Sequence, residues 1–299
     1  MKILVTGTQG QLATSMRERA DGETVVCVGR PEVDFANPET IAPAILAERP
    51  DVVVNAAAYT AVDQAEKEPE LAFTVNGAGA GAVAAAAAAL GVPLIHISTD
   101  YVFDGKADRP YSEDDPTALL GAYGASKLRG EELVLAANLR SVILRTAWVY
   151  SPFGKNFVRT MLRLAETRDE IGVVADQIGS PTHALSLADT VVAVARNLLR
   201  RPDDATLYGV FHAVDGGEAS WAEFAGAIFA RSAARGGPSA RVRPIATSEY
   251  PTPAARPANS RLSTAKLQRL HGVAPRDWRG ELNACVDRLV GQGAQRTQA

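Results

Sequence analysis

Cysteine is nearly absent from this 299-residue sequence, with Cys27 and Cys285 the only two. They form no metal-binding spacing, so a disulfide scaffold and a cysteine-built zinc site are both excluded. Lysine is scarce as well. Only six of the 31 basic residues are Lys (2, 67, 106, 127, 155 and 266), a compositional bias toward Arg and Ala. Neither charge sign is in excess: 34 acidic residues against 31 basic give a net charge of −3. That balance excludes a broad electrostatic surface for nucleic acid. No apolar run approaches the roughly 18 residues that cross a bilayer, and the longest small-residue run, 84–89, is alanine, a helix former. The N-terminal run Ile3-Leu4-Val5 is cut short by Gly7, too soon for a signal-peptide core. A cytoplasmic protein with no membrane or nucleic-acid partner is therefore expected. What is plentiful is ordinary globular material, 46% hydrophobic and 22% charged, which excludes a mainly disordered chain. At roughly 150 residues per domain, the length allows two domains.

The first half alternates strand and helix signals. Short, near-continuously apolar strands are expected at 2–6, 24–28, 51–55, 93–98 and 141–145, with a sixth at 171–174. Helical stretches are expected at 12–20, 39–48, 72–90 and 123–138. This alternation implies a parallel sheet covered on both faces, with its ligand at the carboxyl ends of the strands. Beyond about residue 147 the pattern loosens. Helices are expected at 156–165, 185–199 and 221–234, a Pro-rich ordered loop at 244–257, and a frayed tail at 291–299.

The first strand runs directly into Thr6-Gly7-Thr8-Gln9-Gly10-Gln11-Leu12-Ala13. Gly7 permits the tight turn, Gly10 the approach of a pyrophosphate, and Ala13 close helix–sheet packing. A phosphate would then sit on the helix N-terminus. The second strand ends at Gly29-Arg30, where a reader of NAD would carry an acidic residue. Two readings of Arg30 stand: a partner for a 2′-phosphate, favouring NADPH over NADH, or a solvated loop cation. Asp34 and Phe35 follow and are placed to hold the adenine. Tyr123-Gly124-Ala125-Ser126-Lys127 puts a phenol and an ammonium four residues apart, on one helix face. A nearby ammonium lowers a phenol's pKa, making Tyr123 a working proton donor to a carbonyl that receives hydride. Thr99, at the carboxyl end of the fourth strand, can hydrogen-bond the same oxygen. Asn55-Ala56-Ala57-Ala58-Tyr59-Thr60 ends the third strand in small residues that let a cofactor lie close.

These four features occur in the order of an extended short-chain dehydrogenase/reductase. Longer words sharpen the likeness: Gly10-Gln11-Leu12, Val54 to Asp63, Ser98-Thr99-Asp100-Tyr101-Val102-Phe103-Asp104-Gly105, Arg145-Thr146-Ala147-Trp148-Val149-Tyr150, Asp176 to Thr182, and Arg256-Pro257-Ala258-Asn259-Ser260-Arg261-Leu262. Over almost its whole length the sequence resembles the dTDP-4-dehydrorhamnose reductases, which catalyse the last step of dTDP-L-rhamnose synthesis for cell-wall polysaccharide. The resemblance implies an α/β protein with a Rossmann-type doubly wound parallel sheet and a smaller, interleaved C-terminal substrate domain. The dinucleotide domain would span 1–147, with 183–201 returning to it. The sugar-nucleotide domain would take 148–182 and 202–299. It further implies that Thr99, Tyr123 and Lys127 form the catalytic triad. Gly7, Gly10, Gln11, Leu12, Arg30, Asp34, Phe35, Ala58, Tyr59 and Thr60 would line the dinucleotide, with Tyr123 and Lys127. Asp100, Tyr101, Trp148, Arg256, Asn259 and Ser260, with Thr99, would meet a dTDP-sugar. Trp148 as plain core and Arg256 as a surface charge are the competing readings.

Some relatives bind Mg²⁺ through glutamates early in the first helix and just after the Gly-x-Pro-Thr word. Here those neighbourhoods read Ala13-Thr14-Ser15-Met16 and Thr182-His183-Ala184-Leu185, without the carboxylates a hard cation takes. No metal is therefore expected, and a monomer or weak homodimer is. The four His residues (96, 183, 212 and 271) show no ligand spacing and read as structural. Two other functions stay open: another nucleotide-sugar 4-ketoreductase or epimerase, and a non-catalytic dinucleotide-binding subunit like the regulatory subunit of methionine adenosyltransferase.

Overall fold

The computed structural model describes residues 1–19 and 22–297, with side chains to residue 291. Strands β1 (Lys2–Thr6), β2 (Thr24–Val28), β3 (Val52–Asn55), β4 (Leu94–Thr99) and β5 (Ser141–Thr146) join Gly209–His212 in one six-stranded sheet. Every pairing is parallel, and the spatial order runs from Gly209–His212 through β5, β4, β3 and β1 to β2. The chain leaves β1 toward β2 and returns to the other side at β3, so the order reverses between β1 and β3. The crevice at their carboxyl ends is where such sheets bind ligands.

Both sheet faces are covered, as strands apolar on both sides require. One face packs Ile3, Val5, Val54 and Leu144 against helix α1 (Gln11–Arg19) and the helix Ala184–Arg200. The other packs Leu4, Val53 and Ile143 against Ile41–Glu48 and the alanine-rich Gly79–Ala89. That second helix belongs to a run, Pro69–Ala89, long and apolar enough to span a membrane by length and composition. Here Ala80, Val83, Ala84 and Ala87 are buried against the sheet, the ordinary place for such a helix in a globular core. A third core, built on Tyr150, Phe224, Trp278 and the helices Phe157–Ala165, Trp221–Ala234 and Trp278–Thr297, forms the second lobe.

Three expectations are corrected. The strand expected at 171–174 is real, as Glu170–Val174, but it pairs in parallel with Arg241–Ile245 in the second lobe. The sixth strand of the main sheet is Gly209–His212 instead, inside the stretch assigned to the sugar-nucleotide domain. Four residues after a polar turn carry too little periodicity to be told from loop. Leu267 also packs into the main sheet's core. The loop expected at 244–257 begins inside a strand, where Pro244 is tolerated because that two-stranded sheet is all edge. The tail expected to fray from 291 continues as helix to Thr297, and residues 298–299 lie outside the described residues.

Candidate active site

The glycine turn after β1 is built as the spacing demands. Gly7 sits at φ +94°, a conformation that L side chains rarely adopt, and its N–H donates to the Val28 carbonyl at 2.7 Å. Helix α1 starts at Gln11 with no acidic residue in its first turn, so its positive end is open to an anion. Thr6 donates to Asn55 Oδ1 at 2.7 Å and accepts from the Ala57 N–H at 3.1 Å, which locks the end of β1 to the Ala56–Ala58 stretch. These donors and small side chains fit a dinucleotide pyrophosphate. Of the residues expected to line it, Gly10, Arg30 and Thr60 are exposed, and Ala58 and Tyr59 are partly so. Leu12 and Phe35 turn their side chains into the cores, and Asp34 accepts from the Ala36 N–H at 3.1 Å. The Gln11 amide reaches across to the second lobe, accepting from Ser151 at 2.7 Å and Asn156 at 3.1 Å. Its side chain therefore ties the phosphate loop to the second lobe.

β4 ends in Thr99, whose hydroxyl donates to Asp100 Oδ1 at 3.0 Å and accepts from the Tyr101 N–H at 3.3 Å. Tyr123 enters from the first turn of the helix Ala122–Ala137, with its ring edge-on to Tyr101 at 5.4 Å. Burial holds the Tyr123 phenol above its ordinary range; Asp100 and Tyr101 push the same way, and a hydrogen bond with Thr99 opposes them. Burial also pushes Asp100 up to about 6, opposed by Ser260 and Thr99. Lys127 is buried, and its ammonium is brought down to about 8 by desolvation, with Glu131 opposing.

One electrostatic expectation is corrected. Lys127 does not pull the Tyr123 phenol down. Its ammonium is committed elsewhere, donating to the Ile97 carbonyl at 2.6 Å, with His96 Nε2 3.5 Å away. The phenol keeps its proton, as a general acid for a carbonyl must. His96 is thus more than a core histidine. Its other nitrogen meets Asn55 Nδ2 at 2.9 Å, so a polar chain runs from Thr6 through Asn55 and His96 to Lys127. Burial keeps this imidazole neutral. The other three histidines bond Glu281 (His183) or backbone carbonyls (His212, His271).

Beside Tyr101, whose ring meets that of Tyr123, lies a cleft of about 450 Å³. Tyr101, Trp148, Arg256 and Ser260 line it, with Trp221, Phe157 and Tyr250. Trp148 holds a left-handed backbone at φ +48°, a conformation that costs a bulky residue on the order of 1–3 kcal/mol and persists where packing over-determines it. The packing is visible. Trp148 stacks on Trp221 at 3.5 Å between centroids, and a Cβ at Gly179 would collide with its ring. The Gly-Ser-Pro-Thr word is thus the seat of the indole. Trp221 is presented by the first turn of its helix, where Ser220 and Glu223 form a reciprocal capping box.

Arg256 is only partly exposed. It pairs with Asp63 at 2.8 Å, while its Nη1 has no partner among the described residues. Asn259 does not line the cleft. Its amide donates to the Ala107 and Arg109 carbonyls, both at 2.8 Å, and accepts from Arg261, which fastens the C-terminal loop to the segment after β4.

The sequence reading missed three residues. Trp221 carries no motif. Asp63 looked like part of a word without a role. Asn76 sits in a π-helical turn, Thr74–Ala78, and bonds the Tyr59 backbone and Ser126, joining the end of β3 to the Tyr123 helix. Such a turn often marks a functional site, but nothing local in the sequence announces it.

The implied Mg²⁺ does not fit these residues. Ser15 is buried and donates to the Gln11 carbonyl, Leu185 is core, and Glu18 pairs with Arg288 at 2.7 Å. Among the described residues, no three His, Cys, Asp or Glu side chains converge on a point.

Residues 1–290 match the family model described as RmlD substrate binding domain. A dTDP-4-dehydrorhamnose reductase of Sinorhizobium fredii is 48% identical, over 98% of this chain and 99% of that protein. The chain belongs to the dTDP-4-dehydrorhamnose reductase family. Solved structures of family members superpose closely. The Clostridium acetobutylicum reductase has a TM-score of 0.87 at 39% identity, covering 97% of this chain and 99% of that one. The Bacillus anthracis reductase, solved in complex with NADP, has a TM-score of 0.87 at 36% identity, covering 95% of this chain and 98% of that one. The family's doubly wound parallel sheet is the architecture described above.

Proposed function

We infer that this chain reduces the C4 carbonyl of dTDP-4-dehydro-β-L-rhamnose to dTDP-β-L-rhamnose with a nicotinamide cofactor, the last step of dTDP-L-rhamnose biosynthesis. The observation that carries the reading is the meeting of Thr99 and a protonated Tyr123 beside a cleft walled by stacked indoles. A bound nicotinamide supplies the hydride. Gly7, Gly10 and the α1 N-terminus hold its pyrophosphate. The main-chain stretch Ala58-Tyr59-Thr60, clamped by Asn76, forms the wall beside it. Arg30 favours NADPH over NADH by offering a cation to a 2′-phosphate.

When the substrate arrives, Thr99 turns its single O–H from Asp100 Oδ1 to the carbonyl oxygen and orients it. Tyr123 gives its proton to the same oxygen as charge develops there. Lys127, fixed by Ile97 and His96, presents its remaining N–H to the nicotinamide ribose. Asp100, which Ser260 also bonds, holds the Thr99 hydroxyl before the substrate arrives. Trp148 and Trp221 present flat apolar walls to a nucleotide base, and Arg256 offers Nη1 to the diphosphate. Two lobes, each with its own core, then divide cofactor and sugar nucleotide between them. Both cysteines are free thiols, in keeping with a reducing cytoplasm.

The test is loss of reduced-nicotinamide absorbance on adding dTDP-4-dehydrorhamnose. Oxidation with formation of dTDP-rhamnose is expected. Cofactor binding without oxidation would establish the non-catalytic subunit instead, and a different product stereochemistry another ketoreductase.

A further inference from the structure

A row of four polar side chains runs across the sheet and ends on Lys127. Thr6 on β1, Asn55 on β3, His96 on β4 and Lys127 are all buried, and each meets the next. The first link has a fixed sense. The Thr6 hydroxyl accepts from the Ala57 N–H at 3.1 Å and donates its single proton to Asn55 Oδ1 at 2.7 Å. Turning the Asn55 amide over would leave that buried proton without an acceptor among the described residues, which is costly. Asn55 therefore turns its NH2 toward His96, 2.9 Å from Nδ1. An amide nitrogen only donates, so Nδ1 must hold a lone pair. Burial keeps the ring neutral, and Lys127 pushes the same way. The single ring proton then sits on Nε2, which faces Lys127 Nζ at 3.5 Å.

An ammonium has three donors and no acceptor. Against an imidazole N–H it forms no hydrogen bond, and the 3.5 Å separation is long for one. The neutral amine fits the place better. Its lone pair accepts from His96 Nε2–H, one N–H donates to the Ile97 carbonyl at 2.6 Å, and the other faces the ribose. Glu131, one turn on along the same helix, favours the ammonium, but its carboxylate is shared with Arg145 of β5 at 2.7 Å and with Ser98 of β4. Tyr123, one turn back, keeps its proton and carries no charge. Asp100, just past β4, turns to Thr99. β1, β3 and the π-helical turn bring neutral groups, Thr6, Asn55 and Asn76.

We propose that His96 is a positioning residue for the reduction: held as its Nε2–H tautomer by Thr6 and Asn55, it turns a donor on Lys127 and makes the neutral amine the fully hydrogen-bonded form of that lysine. This rests on the ketoreductase reading of the site, in which Lys127 meets the nicotinamide ribose. Burial works in the same direction, bringing the ammonium down to about 8. Above that pH Lys127 acts through the direction of its N–H bonds, with no charge to offer.

Nuclear magnetic resonance of the cofactor-free protein tests this without catalysis. The chain has four His and six Lys, few enough to resolve singly, and the signals lost in His96→Asn and Lys127→Met assign the two that matter. Long-range proton–nitrogen correlation spectra of the wild type are expected to show His96 protonated at Nε2 and bare at Nδ1. With carbon-labelled lysine, the wild-type Lys127 is expected to titrate at about 8. His96→Asn keeps an acceptor for Asn55 and removes the donor facing Nζ; its Lys127 should titrate higher by about one pH unit or more. A wild-type His96 protonated at Nδ1 would overturn the proposal, whether or not the variant folds. So would a Lys127 that titrates at the same pH or lower in His96→Asn. The expected signatures in a chain that oxidises no reduced cofactor would support the His96 assignment and overturn the ketoreductase reading instead.

Discussion

Replacing Lys127 by Met isolates the energetics of the buried ammonium. Folding brings its pKa from the ordinary 10.5 to about 8, because burial disfavours the charge more than Glu131 restores it. That gap, at about 1.4 kcal/mol per unit, amounts to about 3 kcal/mol. At neutral pH the folded and unfolded chains are both protonated at this residue, and the cost is carried in full. Between about 8 and 10.5 the folded chain releases a proton that the unfolded chain keeps, so stability rises with pH. Methionine has no proton to release. The difference in unfolding free energy, wild type minus Lys127→Met, should therefore grow by about 2–3 kcal/mol between neutral pH and about pH 10. At neutral pH the two proteins should differ less. The variant loses the 2.6 Å charge-assisted bond to the Ile97 carbonyl, worth about 1.5–3 kcal/mol, which offsets the relief of removing a buried charge. Urea unfolding of both proteins across that pH range, followed by tryptophan fluorescence, reads the difference directly. Parallel stability curves would refute the buried-ammonium account. They would mean that Lys127 titrates in the folded protein as it does in water.

Tyr123→Phe should lower kcat by about 10²–10⁴ while leaving the dissociation constant for the reduced cofactor nearly unchanged; surviving turnover would unseat Tyr123 as the acid. Trp221→Ala removes one wall of the indole pair and should raise KM for the sugar nucleotide about five- to a hundred-fold, at about 1–3 kcal/mol for a base–aromatic stack, with little change in cofactor affinity. Asn259→Ala removes two hydrogen bonds from a buried amide to the Ala107 and Arg109 carbonyls and should cost about 1–3 kcal/mol of stability; a variant with native unfolding but a raised KM would instead make Asn259 a substrate ligand. Thermal unfolding should be insensitive to Mg²⁺ and to chelator, and a magnesium-specific rise in Tm would show a cation site the side chains do not form.

The fold was legible wherever local pattern and tertiary role agree. The five strands of the cofactor half, the glycine turn and the Tyr-x-x-x-Lys helix are short-range signals, set by strand apolarity, left-handed backbone at Gly7 and a four-residue helical spacing. Gly209–His212 was not legible, because what makes it a strand is its pairing with β5. Glu170–Val174 was read correctly as a strand and assigned to the wrong sheet for the same reason. Nothing in a strand's own residues names its neighbour.

The sequence by itself determined the chemistry on offer: a phosphate loop, a hydroxyl, a phenol and an ammonium, in an order that matches one family. Only the tertiary structure decided their electrostatic state and their company. Burial, a property of the assembled chain, holds the Tyr123 proton on and loosens that of Lys127. Long-range contact, invisible to spacing, sets Trp221 against Trp148, Asp63 against Arg256 and His96 beside Lys127. Side-chain identity is carried along the chain, but desolvation and proximity exist only after folding.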